Sequence, residues 1–489
     1  MMLKEIKLNL KATHQAFNYQ ADAFNAIKNK EYFGIFHEQG LGKTKIGIDL
    51  ALHWIRNNEC DGVVFVTKKS LIKNWEDEIR IHTSIHPLVF SAQKKENASK
   101  FFSYGKIFIC HFDLIANDIE NFKIFASLRD LGMILDESVA IKNPLTKKAK
   151  SFHAIAPFLK RRIIMSGTPV DNRPYDLWSQ IYFLDMGLSL GKNFKEFKDR
   201  YDFSKDISNS KILQELFEVD LKKLKDLISE FTLRETKDSC KIDLPQKQFQ
   251  KIEVGFEDDQ RTLYDKILTE VVIELKKDGK WTTDNIEFIA VQLLRLIQVS
   301  SNPNTYDESY NKETPKAAAT KKLISEIPKN EKIIIWTHFI KTASALEKIL
   351  KNYSIGTIHG EKDIDIRNKI LSDFKKESGP RILIATYGTA KEGLTLTQAN
   401  HAIYFERNFS LSDYLQSQDR IHRISQTKTS FIYNLITKDS IEEWIGALVD
   451  AKQMAAQYVQ GDIPLEDYQT KIDYSFNNIL QDILGLKSK

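Results

Sequence analysis

The chain has 489 residues, room for two to four domains at roughly 100–200 residues each. It is 42% hydrophobic and 28% charged, with 20 Gly and 11 Pro, which excludes collagen-like and low-complexity classes. The net charge of +5 permits a polyanionic partner without requiring one, and three dispersed cysteines (Cys60, Cys110, Cys240) offer neither a disulfide framework nor a zinc site. No apolar run approaches the roughly 18 residues of a membrane span, and the first ten residues lack a signal-peptide core. The expectation is a cytoplasmic protein with no membrane partner.

In chain order, short apolar runs rich in β-branched residues recur at 32–36 (YFGIF), 62–66 (GVVFV), 106–110 (KIFIC), 132–135 (GMIL) and 162–165 (RIIM). Helical patterns at 45–57 and 71–81 separate the first of them, which predicts βαβ units and a buried parallel sheet. The stretch 187–315 changes character. It is rich in Lys, Glu and Leu, with helical periodicity at 211–230, 259–277 and 285–299 and a polar linker at 302–316. A second set of apolar runs follows at 332–336, 355–358, 381–385, 401–405 and 430–434, with helices predicted over 341–351 and 363–374. A helix is predicted over 441–459. The predicted division is 1–186, 187–315, 316–450 and 451–489, an α/β fold of two parallel-sheet lobes in tandem with helical insertions between them.

Directly after the 32–36 run stands His37-Glu38-Gln39-Gly40-Leu41-Gly42-Lys43-Thr44, followed by a helical pattern. This is a phosphate loop in its strand–loop–helix setting. Backbone N–H groups of Gly40, Leu41 and Gly42 would cradle the β-phosphate of a nucleotide, Lys43 would reach the β/γ oxygens, and the Thr44 hydroxyl would hold Mg²⁺. The first glycine of the usual pattern is His37 here. Asp136-Glu137 closes the 132–135 run. Its first carboxylate is placed to hold Mg²⁺, directly or through water, and its second to orient or deprotonate the attacking water. A glycine turn and a solvated acidic pair are the bland alternatives, and strand-end placement disfavours both. Arg420 and Arg423, three residues apart, are predicted to share one face of a helical turn.

GLGKT, DESVAIKN (136–143), SGTPVDNRPYDLWSQIYFL (166–184) and QSQDRIHRISQ (416–426), in that order, resemble superfamily 2 nucleic-acid motors. More narrowly, they resemble the Swi/Snf-type DNA translocases, and the chain is similar to them from about residue 17 to about 444, as a minimal bacterial or phage member. The resemblance implies two RecA-like lobes. It also implies that Gln20, of Asn18-Tyr19-Gln20, reads adenine, and that Lys68, Lys69 and Ser70 of TKKS face DNA phosphates. Ser166, Gly167 and Thr168 of SGTP would couple the γ-phosphate to DNA contact. So would Gly393 in ATYGTAKEGLTLTQAN (385–400), where Thr386 and Thr395 would touch a strand. This segment has Lys391-Glu392 where the family has a glycine pair. Gln416 would contact the γ-phosphate, and Arg420 and Arg423 would act as arginine fingers. FTLRETKDSCKIDLPQK (231–247) is similar to the family's Leu-Arg…Leu-Pro-x-Lys stretch, with Glu235 where many members have a second Arg.

The function so implied is ATP-dependent, Mg²⁺-requiring translocation on double-stranded DNA by a monomer, through backbone contacts without sequence specificity. The alternatives are a strand-separating DNA or RNA helicase, a restriction-type motor subunit, and a binding module that has lost hydrolysis. Six basic residues without an acid between 143 and 163 offer either phosphate contacts or a solvated helix face. Trp75, Trp178, Trp336 and Trp444 are expected in cores rather than on bases.

Overall fold

In a computed structural model, the apolar runs of the first 170 residues lie side by side as one parallel sheet. The structure describes residues 12–91, 94–170, 173–201, 210–242, 244–278, 283–390, 395–423 and 425–472. The first sheet comprises β1 (Tyr32–Ile35), β2 (Gly62–Thr67), β3 (Leu88–Val89), β4 (Ile107–His111), β5 (Leu131–Asp136), β6 (Arg161–Met165) and β7 (Thr232–Leu233). Their order is β3-β4-β2-β5-β6-β1-β7, and every pair is parallel. All six residues of β2 are buried, as are five of the six in β5. That is why these strands read as continuous apolar runs instead of alternating ones.

The second sheet comprises β8 (Lys247–Val254), β9 (Lys332–Thr337), β10 (Ile355–Ile358), β11 (Ile382–Thr386), β12 (Ala399–Tyr404) and β13 (Ser430–Thr437), in the order β10-β11-β9-β12-β13-β8, again all parallel. One face packs Ile333, Ile335, Ile384 and Ile403 against Ala343 and Leu346 of the helix that follows β9, against Leu350 at its C-cap and against Ile324. The two parallel-sheet lobes predicted from the sequence are therefore both present. Among the described residues, no helix is long and apolar enough to cross a membrane.

The chain divides into two compact units. One holds Met1–Lys205, Ile212–Ile242 and Ala455–Thr470; the other holds Asp206–Lys211, Asp243–Met454 and Lys471–Lys489. The middle of the chain is shared out between them. Helix Lys211–Ser229 belongs to the first unit from Ile212 onward, and helices Asp258–Asp278 and Thr283–Ser301 belong to the second. The all-helical reading of 187–315 needs correction, because β7 and β8 also lie there. β7 has only two residues and no periodicity to reveal it. β8 is an edge strand with four of its eight residues exposed in a row, so polar side chains are tolerated on it.

Helix Pro315–Glu326 opens with Thr314, whose side chain accepts from Ala317 N at 3.2 Å, and with proline at its first position. This start buries Lys316. Its Nζ donates to both carboxylate oxygens of Glu442, at 2.5 and 2.6 Å, with the two side chains only 1% and 5% exposed. The same carboxylate accepts from Thr437 N at 2.8 Å, tying the end of β13 to the pair.

Candidate functional site

Four adjacent strands of the first sheet end together, and their C-terminal ends carry the predicted chemistry. Ile35 and Asp136 both stand opposite Met165 in register, and Val66 stands opposite Leu135. The phosphate loop, the acidic pair, TKKS and SGTP therefore leave the sheet at one level, where open parallel sheets place their ligands. Helix Lys43–Arg56 begins at Gly42, which has φ 68°, and Gly40 has φ 89°. Any side chain at Gly42 would also overlap the Gln20 amide. Left-handed backbone and lack of space thus both demand glycine here.

Lys43 Nζ donates to the carbonyls of His37 at 2.8 Å and Glu38 at 3.3 Å, so the ammonium lies inside its own loop. Gln20 is buried, accepts from Phe17 N at 3.0 Å and donates to Leu41 O at 3.2 Å. It anchors the phosphate loop to helix Asn18–Ile27. His37, the departure from the usual glycine, is fully buried, and its Nδ1 accepts from Glu235 N at 3.2 Å. Burial first, then the charges of Lys43 and Arg234, hold its pKa down to about 4, so the ring is neutral at physiological pH.

Asp136 accepts from Trp75 Nε1 at 2.8 Å and Thr67 Oγ1 at 3.4 Å. Burial, followed by the neighbouring Glu137, pushes its carboxyl above the usual range, and Trp75, Lys43 and Lys68 oppose the shift. A divalent cation would offset the same two costs. Glu137 has φ 57°, a left-handed conformation that costs a non-glycine residue about 1–3 kcal/mol and is typical of active sites. Its Oε2 is buried without a hydrogen-bond partner and lies 3.9 Å from Lys68 Nζ. Lys68 therefore faces the acidic pair, while Lys69 and Ser70 are exposed.

Ser166 N donates to Ile35 O at 3.1 Å, and Ser166 Oγ accepts from Thr168 N at 3.2 Å. Thr168 Oγ1 is buried with no hydrogen-bond partner. A Cβ on Gly167 would come within 2.6 Å of Gln39 Cγ and 3.5 Å of Lys43 Nζ, so SGTP packs directly on the phosphate loop. The left-handed glycines, the Lys43 ammonium and the unpartnered oxygens of Thr168 and Glu137 fit a nucleotide phosphate with its water. Thr44, in the first turn of its helix, and the strand-end Asp136 supply the hard oxygen donors Mg²⁺ takes.

The sequence reading missed several supports of this site. Ser138 Oγ donates to Gln180 Oε1 at 2.7 Å, and Gln180 Nε2 donates to Pro169 O at 2.8 Å, which joins the acidic loop to SGTP. Trp75 is buried against Phe65 as expected of a core residue, yet it also holds Asp136. β7 lies along β1, and the parallel pairing continues past the strand with Phe36 N donating to Leu233 O and Glu38 N to Glu235 O, each at 2.8 Å. Only the "LRETK" lettering hinted at this. The basic run 143–163 is largely neutralised. Lys148 pairs with Asp113 at 2.9 Å, Lys160 with Asp130 at 2.7 Å, Arg161 with Glu59 at 2.7 Å and Arg162 with Glu31 at 2.5 Å.

In the second unit, helix Leu411–Ile421 carries Gln416 and Arg420, both buried. The predicted shared helical face for Arg420 and Arg423 needs correction, because the helix ends at Ile421 and His422, its C-cap, has φ −113° and ψ 76°. The His422 Nε2 contact with Pro245 O at 2.7 Å accompanies that break. Arg423 instead folds back. Its Nε donates to Asp419 O at 3.0 Å and its Nη1 to Thr395 Oγ1 at 2.7 Å, so this arginine and the predicted strand-contacting threonine meet. Burial lowers the Arg423 pKa and Asp419 opposes the shift. Gln426, also missed, donates from Nε2 to Ile421 O and Ala399 O, both at 2.9 Å, closing the turn. Thr386 is buried at the end of β11. Gly393, with Lys391 and Glu392, lies outside the described residues.

Residues 26–305, more than half of the chain, match the family described as SNF2-related domain, and 315–425 match the helicase conserved C-terminal domain. A Mycoplasma genitalium protein named as an uncharacterized ATP-dependent helicase is 28% identical over 438 residues, 88% of this chain and 40% of that one. The ATP-dependent helicase FUN30 of Saccharomyces cerevisiae is 25% identical over 561 residues, 96% of this chain and 48% of that one. The chain thus spans under half the length of these relatives. A solved SWI2/SNF2 ATPase core of Sulfolobus solfataricus, in complex with dsDNA, is 24% identical with a TM-score of 0.43, covering 95% of this chain and 98% of that one. Two family matches in succession, the first lying over the phosphate loop, the acidic pair and SGTP, place the chain in the SNF2-related domain family.

Proposed function

We propose that this chain hydrolyses ATP and uses the reaction to translocate on double-stranded DNA without reading its sequence. The observation that carries the reading is the convergence of the phosphate loop, Asp136-Glu137 and SGTP at one level of the first sheet. The loop N–H groups and Lys43 bind the phosphates. Glu137 takes a proton from water as its oxygen bonds to the γ-phosphorus. The bond from that phosphorus to the β–γ bridging oxygen breaks, leaving ADP and phosphate. Mg²⁺, held by Thr44 and Asp136, would neutralise charge on the β/γ oxygens. Thr168, through its unpartnered hydroxyl, senses whether the γ-phosphoryl group is present.

The choice of duplex rests on the resemblance of the sequence motifs to the Swi/Snf-type DNA translocases and on the SNF2-related family match. The test is steady-state ATPase without nucleic acid and with single-stranded DNA, duplex DNA or RNA, using Lys43→Ala as the blank. Stimulation by duplex well above the other arms supports the reading. Preference for a single strand or RNA would replace it with strand separation, and turnover by the blank would remove the assigned site.

A second expectation concerns Arg423. Arg423→Ala is expected to bind ATP normally and to lose roughly 10³-fold or more in kcat, the size of an arginine-finger loss. An unchanged kcat would reassign Arg423 to holding Thr395 and the turn after helix Leu411–Ile421.

A further inference from the structure

The Arg234 side chain makes four directed hydrogen bonds within the first unit. Nη1 donates to Phe36 O at 2.5 Å and to Gly167 O at 3.0 Å. Nε and Nη2 donate to Asp462 Oδ1 and Oδ2 at 2.9 and 2.8 Å, a two-pronged pair with the side chains 16% and 13% exposed. Phe36 is the residue before His37, whose carbonyl receives Lys43 Nζ. Gly167 is the centre of SGTP. One guanidinium therefore spans the backbone entry to the phosphate loop and the backbone of the segment packed on it.

A guanidinium is planar and its five N–H groups point in fixed directions, so the carboxylate that grips one edge sets where the other edge points. Asp462 lies 228 residues downstream of Arg234, in the stretch Ala455–Thr470 that rejoins the first unit. Tyr468, fully buried, packs on Tyr458 of the same stretch with ring centroids 5.2 Å apart, and Lys225 Nζ over the Tyr458 ring at 5.1 Å and Gln469 Nε2 donating to Glu218 at 2.6 Å hold the stretch without the carboxylate.

We propose that Arg234 and Asp462 form a positioning pair for ATP hydrolysis, in which the Asp462 carboxylate aims the guanidinium that fixes the spacing between the phosphate loop and SGTP. This rests on the ATPase reading above. Without the carboxylate, Arg234 keeps its charge but loses its orientation, and Lys43 and Thr168 lose their common reference. Misplacements of about 1 Å in such supports cost up to roughly 10²-fold in rate while binding survives.

The experiment compares full-chain Asp462→Ala, Asp462→Glu and Arg234→Lys with the unaltered protein. It reads kcat and KM for ATP, ADP affinity by calorimetry and the thermal midpoint. Asp462→Ala is expected to lower kcat about tenfold with KM and ADP affinity within about threefold. Asp462→Glu should recover much of the loss. Arg234→Lys, whose single ammonium cannot span three partners, should behave like Asp462→Ala. Tyr468→Ala supplies the structural control, because it loosens the same stretch and leaves the carboxylate in place. A folded Asp462→Ala with kcat within twofold of the parent overturns the proposal. So does a Tyr468→Ala that matches its thermal loss and its kcat loss alike. If the unaltered chain shows no hydrolysis above the Glu137→Gln background, the ATPase reading falls and the pair falls with it. Hydrolysis with indifferent Asp462 variants sinks the pair alone.

Discussion

Glu137→Gln should bind ATP with near-parental affinity and lose turnover by roughly 10²–10⁴-fold, the contribution of a positioned general base. The substitution keeps the shape of the side chain and its left-handed backbone, so the loop Ser138–Ile141 and its bond to Gln180 stay in place. What disappears is the ability of Oε2, buried and without a hydrogen-bond donor, to take a proton. Removing the charge also relieves Asp136 of its like-charged neighbour, so nucleotide binding is not expected to weaken. Calorimetric ATP binding with single-turnover hydrolysis separates the two effects. Parental turnover would move the base to another residue, and lost binding would mean that the carboxylate supports the loop rather than the chemistry.

The largest stability effect is expected in the other unit. Lys316→Ala leaves the Glu442 carboxylate buried with Thr437 N and without its cation, at a cost of about 3–5 kcal/mol. Joining Lys316→Met to Glu442→Gln removes both charges and keeps an acceptor for Thr437 N, and this double variant should recover most of the loss. Urea unfolding followed by circular dichroism provides the comparison. Additive losses in the double variant would show that the charges do not depend on each other, against the geometry.

The strands of both sheet centres were legible because burial on both faces writes itself as an unbroken apolar run, as in Val63–Val66 and Ile333–Trp336. The glycines and lysine of the phosphate loop were legible for a related reason, since backbone conformation and phosphate chemistry leave few alternatives there. The edge strands β7 and β8 carry no such mark, whereas the edge strand β10 is mostly buried and was read. β7 exists because β1 has a free edge, and β8 presents lysine and glutamine to solvent. Arg234 could be singled out by its lettering but not assigned a partner. Nothing in residues 455–470 distinguishes Asp462 from the other surface acids until the fold brings it to 2.8 Å. The expected Arg420–Arg423 face failed because three-residue spacing implies a shared face only while the helix lasts, and here it stops at Ile421.

The position of β8 has a temporal consequence. It pairs with β13 at eight consecutive positions, yet 176 residues separate Val254 from Ser430. At synthesis rates of roughly 5–20 residues per second, β8 would wait about 10–35 s on the ribosome before its partner emerges. Long-range parallel pairing is also slow to form once both strands exist. During that interval a strand with exposed backbone is open to wrong partners, and Lys247 and Lys251 are the residues that discourage them. The glutamines and lysines that hid β8 from the sequence reading are what a nascent chain needs in order to carry an unpaired strand without aggregating.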